Sequence, residues 1–274
     1  MIYADLHVHT NYSDGTESIQ NVFKKAKEKG IKVIAITDHD TVFHYGRIKK
    51  IAKEYQMETI RGVEMSCYDE EVGKKVHIVG LWLKEDVSHV EQLCQETLRC
   101  RDSYHKKLIK QLNDKGFEIT YEDAKKFAPN NIVFKLHIFL ALMEKYPDEM
   151  NMERYRQLFA GQTTRDVDSQ MGYIDVKKGI DAIHKDGGVA ILAHPCEYNN
   201  YSEIEKYVQF GLDGIEISHP SMKDTDYPLT ISYAKQYNLL ESGGSDFHDE
   251  RMTILGKFGL TKEQYENISK RVCE

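Results

Sequence analysis

Asp5-Leu6-His7-Val8-His9-Thr10 sets two histidines at alternate positions of an apolar run close to the first residue. Alternate side chains of a strand face the same way, so His7 and His9 point together and can grip one ion between neutral imidazoles. The same device recurs along the chain. Asp38 and His39 close Val33-Ile34-Ala35-Ile36-Thr37, and Glu64 ends Gly62-Val63-Glu64. His194 ends Val189-Ala190-Ile191-Leu192-Ala193, and Asp246-Phe247-His248 follows Gly243-Gly244-Ser245. Asp14 sits in Ser13-Asp14-Gly15, and His77 opens His77-Ile78-Val79-Gly80. Most of these residues fall at the C-terminal end of a predicted strand, where a parallel barrel collects its active site. One histidine at a strand end is ordinarily a hydrogen-bonded core or surface residue. Six of the 12 histidines in one ordered set, beside Asp14, Glu64 and Asp246, read instead as a metal centre. Mixed imidazole and carboxylate ligands suit Zn, Mn or Fe, and a carboxylate such as Glu64 can bridge two ions about 3.5–4 Å apart.

Composition agrees with one main domain. The 274 residues leave room for a barrel of about 250 residues plus an insertion. Hydrophobic content of 41% supplies a core, and 30% charge a soluble surface. No apolar run approaches the roughly 20 residues that cross a bilayer. Met1-Ile2-Tyr3-Ala4-Asp5 reads straight into a strand with no basic n-region, so a cytoplasmic placement is expected. Five cysteines without C-x-x-C spacing give no disulfide framework or zinc ribbon. Cys196 follows His194-Pro195, and a small buried thiol is its ordinary reading. A net charge of −7 without a basic stripe excludes broad duplex-nucleic-acid binding, although bound cations would reverse the field inside a pocket.

The rhythm of the chain is strand then helix, which favours a parallel sheet. Ser18 to Lys29 reads as an amphipathic helix with Ile19, Val22, Phe23 and Ala26 inward, stopped by Gly30. Ile31–Thr37, Thr59–Glu64 and Val76–Leu83 read as strands around a helix at His44–Tyr55. From His89 to Ala160 the pattern is helical without a strand signal. Residues 94–170 are therefore expected to form a helical insertion capping one barrel face, with residues 1–93 and 171–274 as the barrel. Helix then strand resumes from Asp175, with later strands at Leu212–Ile217 and Leu239–Gly243.

Together, His7-Val8-His9, Asp14, Thr37-Asp38-His39-Asp40, Gly62-Val63-Glu64, His77-Ile78-Val79-Gly80, Ala193-His194-Pro195 and Gly244-Ser245-Asp246-Phe247-His248 resemble the PHP (polymerase and histidinol phosphatase) family. The likeness is nearer to its stand-alone phosphoesterase branch, which holds nucleotide phosphatases and short-RNA 5′-exonucleases. It implies a distorted (β/α)7 barrel, an α/β fold, with a three-metal cluster. Carried over, the ligands are His7, His9, Asp14, His39, Glu64, His77, His194, Asp246 and His248. Nine groups exceed what one four- to six-coordinate ion can use, so two to three divalent ions (Mn, Fe or Zn) are expected.

Within the insertion, that branch carries an Arg two places before a His and another Arg on the next turn. This chain has Lys135, His137 and Leu140 there. Lys135 lacks the bidentate fork of Arg, which tells against a 3′,5′-bisphosphate. Lys135, His137 and, at the end of a strand, His219 are the candidate substrate-binding residues, with a solvated lysine and a loop hydrogen bond as the ordinary alternatives for Lys135 and His219. Asp38 and Asp40 are expected to orient ligands, and Phe134, Phe139 and Tyr173 to pack in a core or stack on a base. The expected activity is hydrolysis of a small phosphomonoester, foremost a nucleotide, by water activated between ions. The alternatives are a 5′-3′ exonuclease on short oligonucleotides, a histidinol-phosphate-type phosphatase, a barrel hydrolase of C–N bonds, and a metal-stabilised binding module without turnover.

Overall fold

The computed structural model describes residues 1–159, 170–251 and 253–273. In chain order the elements are β1 (Ala4–Val8), α1 (Ile19–Glu28), β2 (Val33–Ile36), α2 (Tyr45–Glu54), β3 (Glu58–Asp69) and β4 (Lys74–Leu81). Four helices follow: α3 (Ser88–Asp114), α4 (Tyr121–Lys125), α5 (Lys135–Lys145) and α6 (Met152–Phe159). The chain then runs through β5 (Ile174–Asp175), α7 (Val176–Lys185), β6 (Val189–Leu192) and α8 (Ile204–Gln209) to β7 (Gly214–Ser218), α9 (Asp226–Gln236), β8 (Leu240–Gly243) and α10 (Lys262–Cys273).

Seven strands form one curled sheet in the order β1-β2-β3-β4-β6-β7-β8, with β5 paired to the far half of β3. β1 and β2 are buried along their whole lengths; β2 is accordingly apolar at every position, as a strand covered on both faces is, whereas β1 alternates apolar residues with the buried Asp5 and His7. The sheet nearly closes where the segment after β8 meets β1: Asp246 N donates to His7 O at 2.9 Å and His9 N to Phe247 O at 2.9 Å. The expected distorted seven-stranded barrel is therefore the observed architecture.

Its sheet is not all parallel, and this corrects the strand-then-helix reading. β3 and β4 form an antiparallel hairpin turned at Gly73, and β4 is antiparallel to β6 as well. The reversal explains why His77 opens its apolar run rather than closing it: the beginning of β4, not its end, lies at the mouth. β3 also runs five residues past Glu64, through Asp69, because this extension pairs with the early half of β4 and with β5.

Because β4 ends at the barrel floor, where Leu81 pairs with Gly62 and Val189, the chain must climb back to the mouth. The 27-residue α3 does so, a span of about 40 Å. Its first turn is tied at the floor, with Val90 N donating to Asp186 Oδ2 at 2.8 Å and His89 Nδ1 lying 2.7 Å from Asp186 Oδ1. Val90 and Cys94 pack in the barrel core, whereas Tyr104, Leu108, Ile109 and Leu112 join a separate apolar cluster with α4, α5 and α6. The expected 93/94 boundary thus falls within a continuous helix, and residues 160–169 of the expected insertion lie outside the described residues. Asn130 Nδ2 donates to Tyr12 O at 3.0 Å and fastens the helical layer to the loop after β1.

Closure leaves no room for a side chain at Gly244, where a Cβ would stand 2.4 Å from His7 Cβ and 2.5 Å from His7 N. Gly244→Ala is expected to destabilise the fold by about 2–3 kcal/mol, the cost of overpacking a fixed core, and to lower the melting temperature by roughly 5–10 °C. Gly46→Ala, in α2 with nothing within 4 Å, is the control and should be neutral or slightly stabilising. Calorimetry showing equal melting temperatures for the two variants would contradict the tight closure.

Candidate metal centre

Glu64, in the middle of β3, is buried with five imidazoles around its two oxygens. His7 Nε2 and His9 Nε2 lie 3.0 Å from Oε2, and His39 Nδ1 3.3 Å. His77 Nδ1 is 2.8 Å from Oε1 and His194 Nε2 2.9 Å. His7 and His9 come from one face of β1 and its extension, as alternation requires. Asp246 reaches in from the β8 side, with Oδ1 3.4 Å from His7 Nε2 and 3.2 Å from His9 Nε2. Asp14 completes the far side, 3.6 Å from His9, 3.7 Å from His39 and 3.3 Å from His248. All nine residues read as ligands from the sequence thus converge on one cluster. Their donor atoms fall into four overlapping groups: His7, His9, Glu64 and Asp246; His39, Glu64 and His77; His9, Asp14, His39 and His248; and His194 and Asp246 with Glu197.

The donor chemistry fits divalent ions. Asp14 Oδ1, His39 Nδ1, His194 Nδ1 and Asp246 Oδ1 are buried without a hydrogen-bond partner, an arrangement whose desolvation cost calls for a ligand. Burial alone would raise the carboxyl of Glu64, but His39, His7 and His77 overcome it and hold Glu64 well below the usual carboxylate range. Asp14 and Asp246 are held low against burial by their imidazole neighbours. Burial opposes the charged form of His194 and His248, yet Glu64 lifts His194 to about 9 and Asp14 with Asp246 lifts His248 to about 10. Three backbone positions here adopt left-handed conformations without being glycine: Asp40 (φ 53), His194 (φ 26) and Asp246 (φ 47). Such strain persists where the surroundings over-determine it.

A second layer orients the imidazoles. Glu216 Oε1 lies 2.7 Å from His7 Nδ1, while its Oε2 accepts from His194 N at 2.8 Å. Glu216 does not close its apolar run as the ligands do, although a carboxylate between two isoleucines in Gly214-Ile215-Glu216-Ile217-Ser218 is itself a signal. Asp38 accepts from Thr10 N, Thr10 Oγ1 and Ser13 Oγ, each at 2.7 Å, and Ser13 Oγ is 3.3 Å from His9 Nδ1. Asp38 therefore braces His9 rather than the His39 beside it. Asp40 turns away from the cluster to pair with Arg101.

The cluster floors a cavity of about 440 Å³ walled by Leu136, Met152 and Tyr155 from the helical layer and by Glu197, Tyr198, His219 and Ser221 from the barrel loops. His219 Nε2 lies 3.1 Å from Asp246 Oδ2, and its Nδ1 accepts from Ser221 N. Lys135 and His137 flank the wall residue Leu136 but do not themselves line the cavity. His137 is buried, its Nδ1 accepting from Phe134 N at 3.1 Å and its Nε2 without a hydrogen-bond partner. Phe134 and Phe139 are buried in the helical layer, and Tyr173 stacks on Tyr68, so the aromatic wall is Tyr155 and Tyr198 instead. Cys196 packs against the barrel core, where burial pushes its thiol up to about 11. No helix among the described residues is long and apolar enough to cross a membrane.

Comparison with known proteins places this geometry. The model of the PHP domain matches residues 5–209. A phosphoribosyl 1,2-cyclic phosphate 1,2-diphosphodiesterase of Eggerthella lenta is 34% identical over 259 residues, covering 93% of this chain and 95% of that protein. A 5′-3′ exoribonuclease of Haemophilus influenzae is 28% identical, over 89% of each chain. A solved protein of Bifidobacterium adolescentis, provisionally assigned to the metal-dependent phosphoesterases, superposes with a TM-score of 0.85 at 23% identity, covering 98% and 96% of the two chains; that likeness concerns the fold.

Two outcomes follow from the electrostatics. His194 and His248 must shed a proton to ligate, so affinity for Mn or Zn should strengthen from pH 6 to 8.5, with proton release measurable by calorimetry in buffers of different ionisation enthalpy. Without metal the sign reverses. Raised histidine pKa values stabilise the fold fully below about 6.5, and that stability is lost as pH rises through about 9 and 10. A pH-independent metal affinity would contradict the assignment. Glu216→Gln should weaken metal binding roughly 10- to 100-fold, as loss of an orienting partner does, read by competition with a chromogenic chelator.

Proposed function

The chain belongs to the PHP domain family, and from that premise we propose that this metal-dependent phosphoesterase hydrolyses a phosphate ester of a small ribose phosphate, a mononucleotide or a phosphoribosyl cyclic phosphate. One observation carries the reading. The cavity above the Glu64 cluster has no Lys or Arg among its described lining residues, so ions in the cluster must meet the charge of the ester. A space of about 440 Å³ suits a small ligand, at the lower part of the usual range for pockets. The Eggerthella relative acts, by its name, on a phosphoribosyl cyclic phosphate, and the Haemophilus relative on RNA; a phosphorylated ribose is common to both.

In this reading His7, His9, Glu64 and Asp246 would hold one ion, His39, Glu64 and His77 a second, and His9, Asp14, His39 and His248 a third, with His194 beside Asp246 as a further ligand, two to three ions of Mn, Fe or Zn in all. Bound ions would supply charge neutralisation at the phosphate and a lowered pKa for water. Glu216 and the Asp38–Ser13 pair fix His7 and His9 in place. His219, held by Asp246 and Ser221, faces the ester. Residues 94–170 act as a cap that excludes water through Leu136, Met152 and Tyr155, and Lys135 and His137 contact phosphate oxygens when α5 closes. The unpartnered His137 Nε2 supports that assignment. The 5′-3′ exonuclease reading stands second, favoured by the Haemophilus likeness; the small volume of the cavity weighs against long chains.

The test compares kcat/KM on metal-loaded protein for phosphoribosyl 1,2-cyclic phosphate, a nucleoside monophosphate, a 3′,5′-bisphosphate, a sugar phosphate, a five-nucleotide RNA and an amide. A ribose phosphate ester is expected to exceed the RNA by at least about tenfold, or about 1.4 kcal/mol. His9→Ala and Asp246→Ala should each lower kcat/KM at least about 100-fold, or about 2.7 kcal/mol. A tenfold preference for the RNA would install the exonuclease in its place, and undiminished activity in the variants would remove the cluster from the chemistry.

A further inference from the structure

Arg101 leaves the middle of α3 at the height of the barrel mouth and is buried there. Its Nη2 donates to Asp40 Oδ2 at 2.9 Å and to Ser66 Oγ at 3.1 Å. Both partners sit beside the cluster. Asp40 follows His39, holds a left-handed backbone, and donates its own N–H to Glu64 O at 2.9 Å. Ser66 lies two residues beyond Glu64, and its N–H donates to Asp40 Oδ1 at 2.8 Å. The other side of the guanidinium faces the cap. Its central carbon stands 4.7 Å from the centre of the Phe134 ring, and Phe134 is the residue before α5, tied by its N–H to His137. A planar, always-charged group can serve both partners at once, by hydrogen bonds in its plane and by its face on an aromatic ring.

We infer that Arg101 is a positioning residue that couples the metal cluster to the cap. Ions held by Glu64 and His39 would fix those two residues and with them Asp40 and Ser66; these hold Arg101, and Arg101 fixes Phe134 and with it the start of α5 over the cavity. The coupling is reciprocal, as any linkage between two sites must be. The inference rests on the cap reading given above for α5, but not on the identity of the substrate.

The test needs no substrate. Amide hydrogen exchange of residues 135–145 is followed in the metal-free protein and after loading with Mn, for the wild type and for the double variant Arg101→Met/Asp40→Asn. The double variant removes both buried charges together, and Asn keeps an acceptor for Ser66 N. In the wild type, Mn should slow exchange across α5 at least tenfold. In the double variant the Mn stoichiometry should be unchanged and the slowing in α5 should fall below twofold. Arg101→Lys retains the charge but not the planar fork, and should give an intermediate slowing; it serves as the test variant if the double variant does not fold. Equal slowing in wild type and variants, no slowing in the wild type, or loss of Mn from the variants overturns the coupling. Coupled exchange in a wild type that turns over none of the phosphate esters would leave this inference standing and the proposed activity fallen.

Discussion

Five imidazoles meet one buried carboxylate at Glu64, and the rest of the molecule is arranged around that meeting. A lone carboxylate in such surroundings would be strongly disfavoured; here its partners come from β1, from the loop after β2, from β4 and from the loop after β6. None of these segments is near all the others in sequence. The carboxylate is satisfied only when the sheet has curled, so the site and the barrel assemble as one event. The left-handed backbone at His194 and Asp246 and the close approach at Gly244 are local costs of bringing the ends of strands to a single point.

Much of this was legible in the residues. The ligand-type side chains stood out because a polar or ionisable residue at the end of an apolar run has little structural use, and the repetition of that pattern fixed both the barrel and the cluster. What escaped was set by tertiary pairing. The extension of β3 through Met65-Ser66-Cys67-Tyr68-Asp69 has no strong period of its own and is a strand because β4 and β5 flank it. The reversal of β4 could not be read from Val76–Leu83, since an apolar run looks the same in either direction. α9 has no side-chain cap at Thr225 and no marked apolar stripe, whereas α10 is announced only by the reciprocal Thr261–Gln264 capping box.

The candidate site divides along the same line. Residues whose chemistry is local, such as His7 and His9 on one strand face, were found directly. Glu216 and Arg101 depend on partners 209 and 61 residues away, and only the fold discloses that they act on His7 and Asp40. The cavity wall shows a further limit. The family resemblance singles out Lys135 and His137, yet the rotation of α5 that presents Leu136 to the cavity is decided by how α3, α4 and α6 pack against it.

The long α3 has a bearing on how members of this architecture can exchange their caps. A helix is a screw: each added or deleted residue turns everything beyond it by about 100° and shifts it by about 1.5 Å. With its first turn anchored to Asp186 and Arg101 facing Asp40, the segment between them behaves as a gauge of fixed length. A graft that keeps residues 88–101 can carry a foreign cap in register, whereas one that alters that segment by a single residue would aim the new cap away from the metals.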